Sequence, residues 1–190
     1  VEISSVLEPV LSRKEQDYAH KAFNNLFLKY EKIENGVLIK RNDKDKSIYL
    51  AVGFFCNNGN VKNIEFEIDK QKLYGRLNTG VPKKIYNSEE FSNKIGLVVD
   101  PIISFRRTIK LEKDLIELNF VISVSEDKNQ AIEKLEKYKS FENTRRAFEI
   151  SKTRNDEMNR YLQVTSKEMI VYQKILSYLI MGNSLKKLYI

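Results

Sequence analysis

The chain has 190 residues, of which 42% are hydrophobic and 31% charged, so it is long and apolar enough to fold as a globular domain. One cysteine and one histidine exclude a disulfide scaffold and the common zinc sites, which need more of these residues. The net charge of +7 comes from 33 Lys and Arg against 26 Asp and Glu, interleaved along both halves, which indicates a lysine-coated surface and not a nucleic-acid site.

The sequence contains no apolar run of the roughly 18 residues that a membrane-spanning helix needs, and we expect no membrane insertion. It begins at Val1 in strand-like sequence, without a basic and apolar leader, which we interpret as a segment of a longer protein. A single cysteine is typical of a reducing compartment, so we predict a cytoplasmic location.

The first two-thirds of the chain predict short β-strands. Early candidates cover residues 3–11, 25–30 and 37–41. Residues 48–55 are apolar on both faces, which is typical of an internal strand, and Asn57-Asn58-Gly59-Asn60 predicts the turn that ends it. Residues 64–69 alternate between apolar and acidic side chains, which indicates one buried and one solvated face.

Two more strands are predicted over residues 103–111 and 116–124, where apolar side chains again alternate. The polar connection Glu112-Lys113-Asp114 suits a β-hairpin between them. Because short strands follow one another without crossover helices, we predict an antiparallel β-sandwich as a first domain over residues 1–125.

Near Ser125 the apolar spacing changes from 2 to 3.6, which predicts a helical second domain over residues 126–190. Ala131 and Leu135 lie on the apolar stripe of its first helix, and the second helix covers residues 141–162.

The third predicted helix is apolar on nearly all sides. A capping box, Thr165-Ser166-Lys167-Glu168, marks its start. Between Met169 and Ile180 only Gln173, Lys174 and Ser177 interrupt the apolar surface. Such a helix is buried on several sides in a stable protein. We therefore predict that it self-associates or packs against segments beyond Ile190.

No group of residues predicts catalysis. Cys56 ends an apolar strand, where cysteine is usually a small buried side chain, so a dyad with His20 is disfavoured. Neighbouring carboxylates occur as the pairs Asp43 and Asp45, Glu65 and Glu67, and Glu89 and Glu90. Their charged or turn-like contexts indicate solvated surface, whereas a general acid needs a dry environment. We predict neither a catalytic nor a metal-binding residue.

Glycines flank a candidate ligand contact at Arg76 and Thr79. The favoured interpretation is a plain loop that follows a short helical turn at Lys70–Tyr74. The alternative is a sharp turn that brings Arg76 and Thr79 to a ligand.

Arg107 is a second candidate, because it alternates with Phe105 and Ile109 and so points toward the apolar face. A buried guanidinium needs a carboxylate or several carbonyl groups, and a structural ion pair at a sheet corner is the favoured interpretation. An anion or sugar contact and a bulge that turns Arg107 outward are the alternatives.

Four segments carry a family resemblance. They are VEISSVLEPVL (1–11), DYAHKAFNNLF (17–27), FEIDKQKLYGR (66–76) and GLVVDPIISFRR (96–107). In this order they are similar to motifs of the inverting glycoside phosphorylases, the cellobiose and chitobiose phosphorylase relatives once called glycosyltransferase family 36. The last two segments most resemble the phosphorylase-like region of cyclic β-1,2-glucan synthases.

The resemblance implies a mutarotase-like supersandwich, then a helical linker, then an (α/α)₆ barrel that carries the catalytic acid and the phosphate-holding residues. No position of this chain matches those residues, so the resemblance assigns no catalytic residue to it. It implies no cofactor other than inorganic phosphate, the co-substrate of the parent enzyme. This chain would be sandwich and linker, acting as scaffold, homodimer contact and a wall of the sugar site. The resemblance also implies a parent that is either a soluble phosphorylase or a membrane-bound synthase, with a β-glucan or an oligosaccharide as its partner.

Two other classes of function stay open. One is a stand-alone carbohydrate-binding module, which needs an exposed aromatic platform; its candidates are Tyr49, Phe55, Tyr74 and Tyr86. The other is a helical protein–protein adaptor that uses the third helix. The residues we predict as carbohydrate contacts are Tyr74, Arg76, Thr79 and Arg107.

Overall fold

A computed structural model describes residues 1–42, 47–57, 64–76, 80–110 and 115–181. The chain divides into two compact units, residues 1–143 and residues 144–190. The elements follow in the order β1 (Glu2–Leu7), α1 (Lys14–Asn25), β2 (Leu28–Ile33), β3 (Gly36–Asn42), β4 (Ser47–Cys56), β5 (Glu65–Asp69), α2 (Lys70–Tyr74), α3 (Lys83–Tyr86), β6 (Pro101–Thr108), β7 (Leu118–Ser125), α4 (Lys128–Lys139), α5 (Phe141–Tyr161) and α6 (Ser166–Met181).

The described strands form two sheets, one in the order β2-β3-β4-β7 and one in the order β1-β6-β5. Every strand pair is antiparallel, which confirms the predicted sandwich. The hairpin predicted between β6 and β7 is wrong, because the two strands belong to different sheets. Each strand pairs with distant sequence instead: β6 lies between β1 and β5, and β7 pairs with β4. The predicted hairpin turn, residues 112–114, lies outside the described residues.

The main core lies between the two sheets. Strand β4 is apolar on both faces because each of its faces packs into a different core cluster. Leu50, Val52 and Phe54 belong to the cluster between the sheets. Ala51 and Phe55 point the other way and pack with Ala131 and Leu135 of α4. The prediction of an internal strand is therefore confirmed.

Helix α4 belongs to the first compact unit, because its apolar stripe covers the outer face of the four-stranded sheet. The Asp127 side chain caps it by accepting a hydrogen bond of 2.8 Å from the backbone of Gln130. The domain boundary predicted between residues 125 and 126 stays a prediction.

Near the N-terminus the structure differs from the predicted strands. Helix α1 was not predicted, and the strand expected over 25–30 begins at Leu28. A tertiary contact holds the C-terminal end of α1, because buried Arg41 of β3 donates hydrogen bonds to the backbone and side-chain oxygens of Asn24. Within the helix, Asn24 donates to the Gln16 carbonyl at 2.6 Å. The pairing partner of Asn24 lies 17 residues away, so no local pattern revealed it.

The second compact unit contains most of α5 and all of α6, as predicted for the second and third helices. The predicted capping box is confirmed: the Thr165 amide donates to the Glu168 carboxylate at 2.8 Å, and the Glu168 amide donates to the Thr165 hydroxyl at 3.3 Å. None of the described side chains of α5 and α6 is buried. Across the described ranges, no helix combines the length and hydrophobicity needed to cross a membrane.

Candidate functional site

Charged side chains gather on the outer face of the three-stranded sheet, and we call Glu65, Glu67, Lys84, Ser92 and Arg106 the charge cluster. Glu67 of β5 is fully buried at its centre. Its carboxylate lies 3.0 Å from the Lys84 ammonium and accepts hydrogen bonds from the Ser92 hydroxyl at 2.9 Å and the Ser92 amide at 3.2 Å. The chain after β5 thus folds back over the sheet, and the Glu67 carboxylate binds it at Lys84 and Ser92.

The hydrogen bonds to Glu67 decide its ionisation. Burial acts to raise the pKa of this carboxyl group, but the hydrogen bonds from Lys84 and Ser92 outweigh it and hold the pKa below its ordinary value. Glu67 is therefore ionised near neutral pH, which is the opposite of what a general acid requires.

A second ion pair continues the charge cluster along β6. Arg106, which is buried, donates to Glu65 at 2.5 Å, and these two residues are direct cross-strand partners. The guanidinium carbon lies 4.5 Å from the centroid of the Phe91 ring. The carboxylate and the aromatic ring stabilise the buried guanidinium. Its Nε and Nη1 donate no hydrogen bond within the described part of the chain.

The expectation of a solvated face is wrong for Glu67, which is fully buried, whereas Glu65 keeps part of its side chain exposed. The residues that cover them, including Lys84, Phe91 and Ser92, come at least 17 positions later in the sequence. The alternation correctly assigned these residues to the polar, outer face of the sheet. A loop and a four-residue helix cover that face, and their sequence has no apolar periodicity from which this burial could be predicted. An acidic strand followed by Lys84 is a weak signal that could have suggested the pairing.

Arg107 points into the sandwich, as its alternation with Phe105 predicts, and does not form the ion pair, which Arg106 forms instead. Its Nε donates to the Phe54 carbonyl across the two sheets at 2.8 Å, and its guanidinium lies 5.8 Å from the Phe54 ring. Burial lowers the pKa of this guanidinium. The register of β6 against β5 therefore places Arg106, and not Arg107, next to the carboxylate of Glu65.

Tyr74 lies on the opposite side of the three-stranded sheet from Arg107. Tyr74 packs beside Leu73 and Ile102 on the outer face, and Arg76 is exposed after α2, which confirms the predicted helical turn. Thr79 lies outside the described residues. The predicted contacts therefore do not converge on one site, and each stays a prediction as a sugar contact.

The four candidates for an aromatic platform also lie in different parts of the sandwich. Phe55 is buried under α4, and Tyr49 is half-buried against the same cluster. Tyr86 at the end of α3 is 80% exposed, and α3 contacts α2, which carries half-buried Tyr74. We call Tyr74 and Tyr86, which lie on these two contacting helices, the tyrosine surface. No cluster of metal-binding side chains occurs among the described residues.

Comparison with known proteins decides the family. Residues 1–141 match the family model of the glycosyl hydrolase 94 supersandwich domain. The chain belongs to this family. The matched region begins at the first described residue and ends just after α4, so it covers both sheets of the sandwich and the helix packed on them. The family resemblance in the four motif segments is thereby confirmed, as is the supersandwich fold.

One curated relative of this glycosyl hydrolase 94 chain is a cyclic beta-(1,2)-glucan synthase, NdvB, of Rhizobium meliloti (strain 1021). The two are 25% identical over 187 residues, which is 95% of this chain but 7% of that protein. The chain thus spans a small part of the relative's length. The similarity extends through α5 and α6, beyond the matched supersandwich domain.

Proposed function

We propose that the chain is a non-catalytic sandwich and linker segment of an enzyme that acts on β-glucan, either an inverting phosphorylase or a cyclic β-1,2-glucan synthase. In that parent, inorganic phosphate attacks a β-glucoside while an acid outside this chain protonates the leaving oxygen. The segment acts as scaffold, as dimer contact and as a wall of the sugar site. It has a cytoplasmic location.

The charge cluster is the observation that carries the scaffold role. Its carboxylates are paired with Lys84 and Arg106, and the pKa of Glu67 is lowered, so these groups hold the fold and do not move protons. The family match over residues 1–141 and the similarity to the glucan synthase support the choice of parent.

An assay with β-1,2-glucan and inorganic phosphate tests this proposal. We expect the chain alone to release no glucose 1-phosphate. We also expect its unfolding temperature to stay constant when β-1,2-linked oligosaccharides are added, because one wall of a sugar site does not bind sugar by itself. Release of glucose 1-phosphate would contradict the proposal. A sugar-dependent rise of the unfolding temperature would favour the binding function below.

Carbohydrate binding is the second candidate, and the tyrosine surface is the observation that favours it. Sugars stack on exposed aromatic rings, and Tyr86 offers a ring that is free of the core. Calorimetric titration with β-1,2-linked oligosaccharides would detect it. The variant Tyr86→Ala should abolish the heat, whereas Tyr161→Ala, which removes an equally exposed ring from α5, should not. No heat from the unmodified chain at millimolar sugar would exclude this candidate.

Self-association through α6 is a further part of the proposal. Apolar side chains between Met169 and Ile180 are about half exposed, among them Ile175 and Leu179. A contiguous apolar surface of this kind is typical of a protein contact. The double variant Ile175→Lys with Leu179→Lys should lower the mass of the assembly in sedimentation experiments, and an unchanged mass would contradict a contact through α6.

A further inference from the structure

We draw no further inference here: the strongest candidate, the exposed aromatic patch of Phe23 and Phe27 at the C-terminal end of α1, carries no proposal because nothing in the structure shows what covers it.

Discussion

The sandwich and the two C-terminal helices use the same kinds of apolar side chain but cover them differently. In residues 1–143 the apolar faces of the strands meet one another, α4 or the segment after α2, and three buried clusters result. From residue 144 onward, none of the described apolar side chains of α5 and α6 is buried. The family match ends at residue 141, almost where burial ends. An apolar pattern therefore shows which face of an element is suited to burial. Whether that face is buried depends on a second sheet or helix that packs against it.

The largest effect should come from a matched pair of phenylalanines. Phe105 is completely buried between the sheets, and Phe148 on α5 is 73% exposed. Phe105→Ala should lower the free energy of unfolding by about 3–5 kcal/mol because it removes core contacts and leaves a cavity. Phe148→Ala should change it by less than about 0.5 kcal/mol. Urea denaturation measures both, and a similar cost for the two would break the contrast between sandwich and helices.

A smaller effect is expected for the charge of Glu67. Glu67→Gln keeps a hydrogen-bonding side chain but removes the charge that faces Lys84, and should cost about 2 kcal/mol of unfolding free energy. Glu157→Gln on exposed α5 is the control and should be nearly neutral. If Glu67→Gln is also neutral in urea denaturation, the charge cluster does not hold the sandwich together.

Acid should reduce the difference between the Glu67→Gln variant and the parent chain. Because the folded-state pKa of Glu67 lies below its ordinary value of 4.5, its ionised form stabilises the fold fully above pH 4.5. That contribution is lost as the pH falls through the folded-state pKa. Unfolding free energies measured between about pH 7 and pH 3 should therefore converge at the acid end. Parallel curves would show that the carboxylate is not the cause.

The smallest effects concern the helix caps. Asp127→Ala removes the side-chain cap of α4, which packs on the sandwich, and should cost about 1 kcal/mol of unfolding free energy. Thr165→Ala removes the cap of α6 and should lower helix content by circular dichroism while the main unfolding transition keeps its midpoint. A loss of sandwich stability from Thr165→Ala would show that the helices are coupled to the sheets.

Much of the fold was predictable from local pattern. The alternation in β4 and β5 located those strands, the change of period near Ser125 located the start of the helices, and the Thr165 capping box located α6 within a residue. Helix α1 was missed because contacts from Arg41, distant in sequence, hold it. The β6–β7 hairpin was wrong because a short connection looks the same whether the chain turns within one sheet or crosses to the other.

The candidate site shows the same limit at single residues. Alternation placed Arg107 on the inner face, but only the register of β6 against β5 put Arg106, and not Arg107, opposite Glu65. Likewise Glu67 follows the pattern of a polar face and yet is buried, because Lys84 and Ser92 return from later in the chain to cover it.

The amino-acid sequence by itself determined the class of most elements, the polar and apolar faces and the family, because periodicity, caps and motifs are properties of neighbouring residues. The tertiary structure alone decided which strands share a sheet and which carboxylates are buried. Those outcomes depend on contacts between distant segments, whose pairing no local spacing encodes.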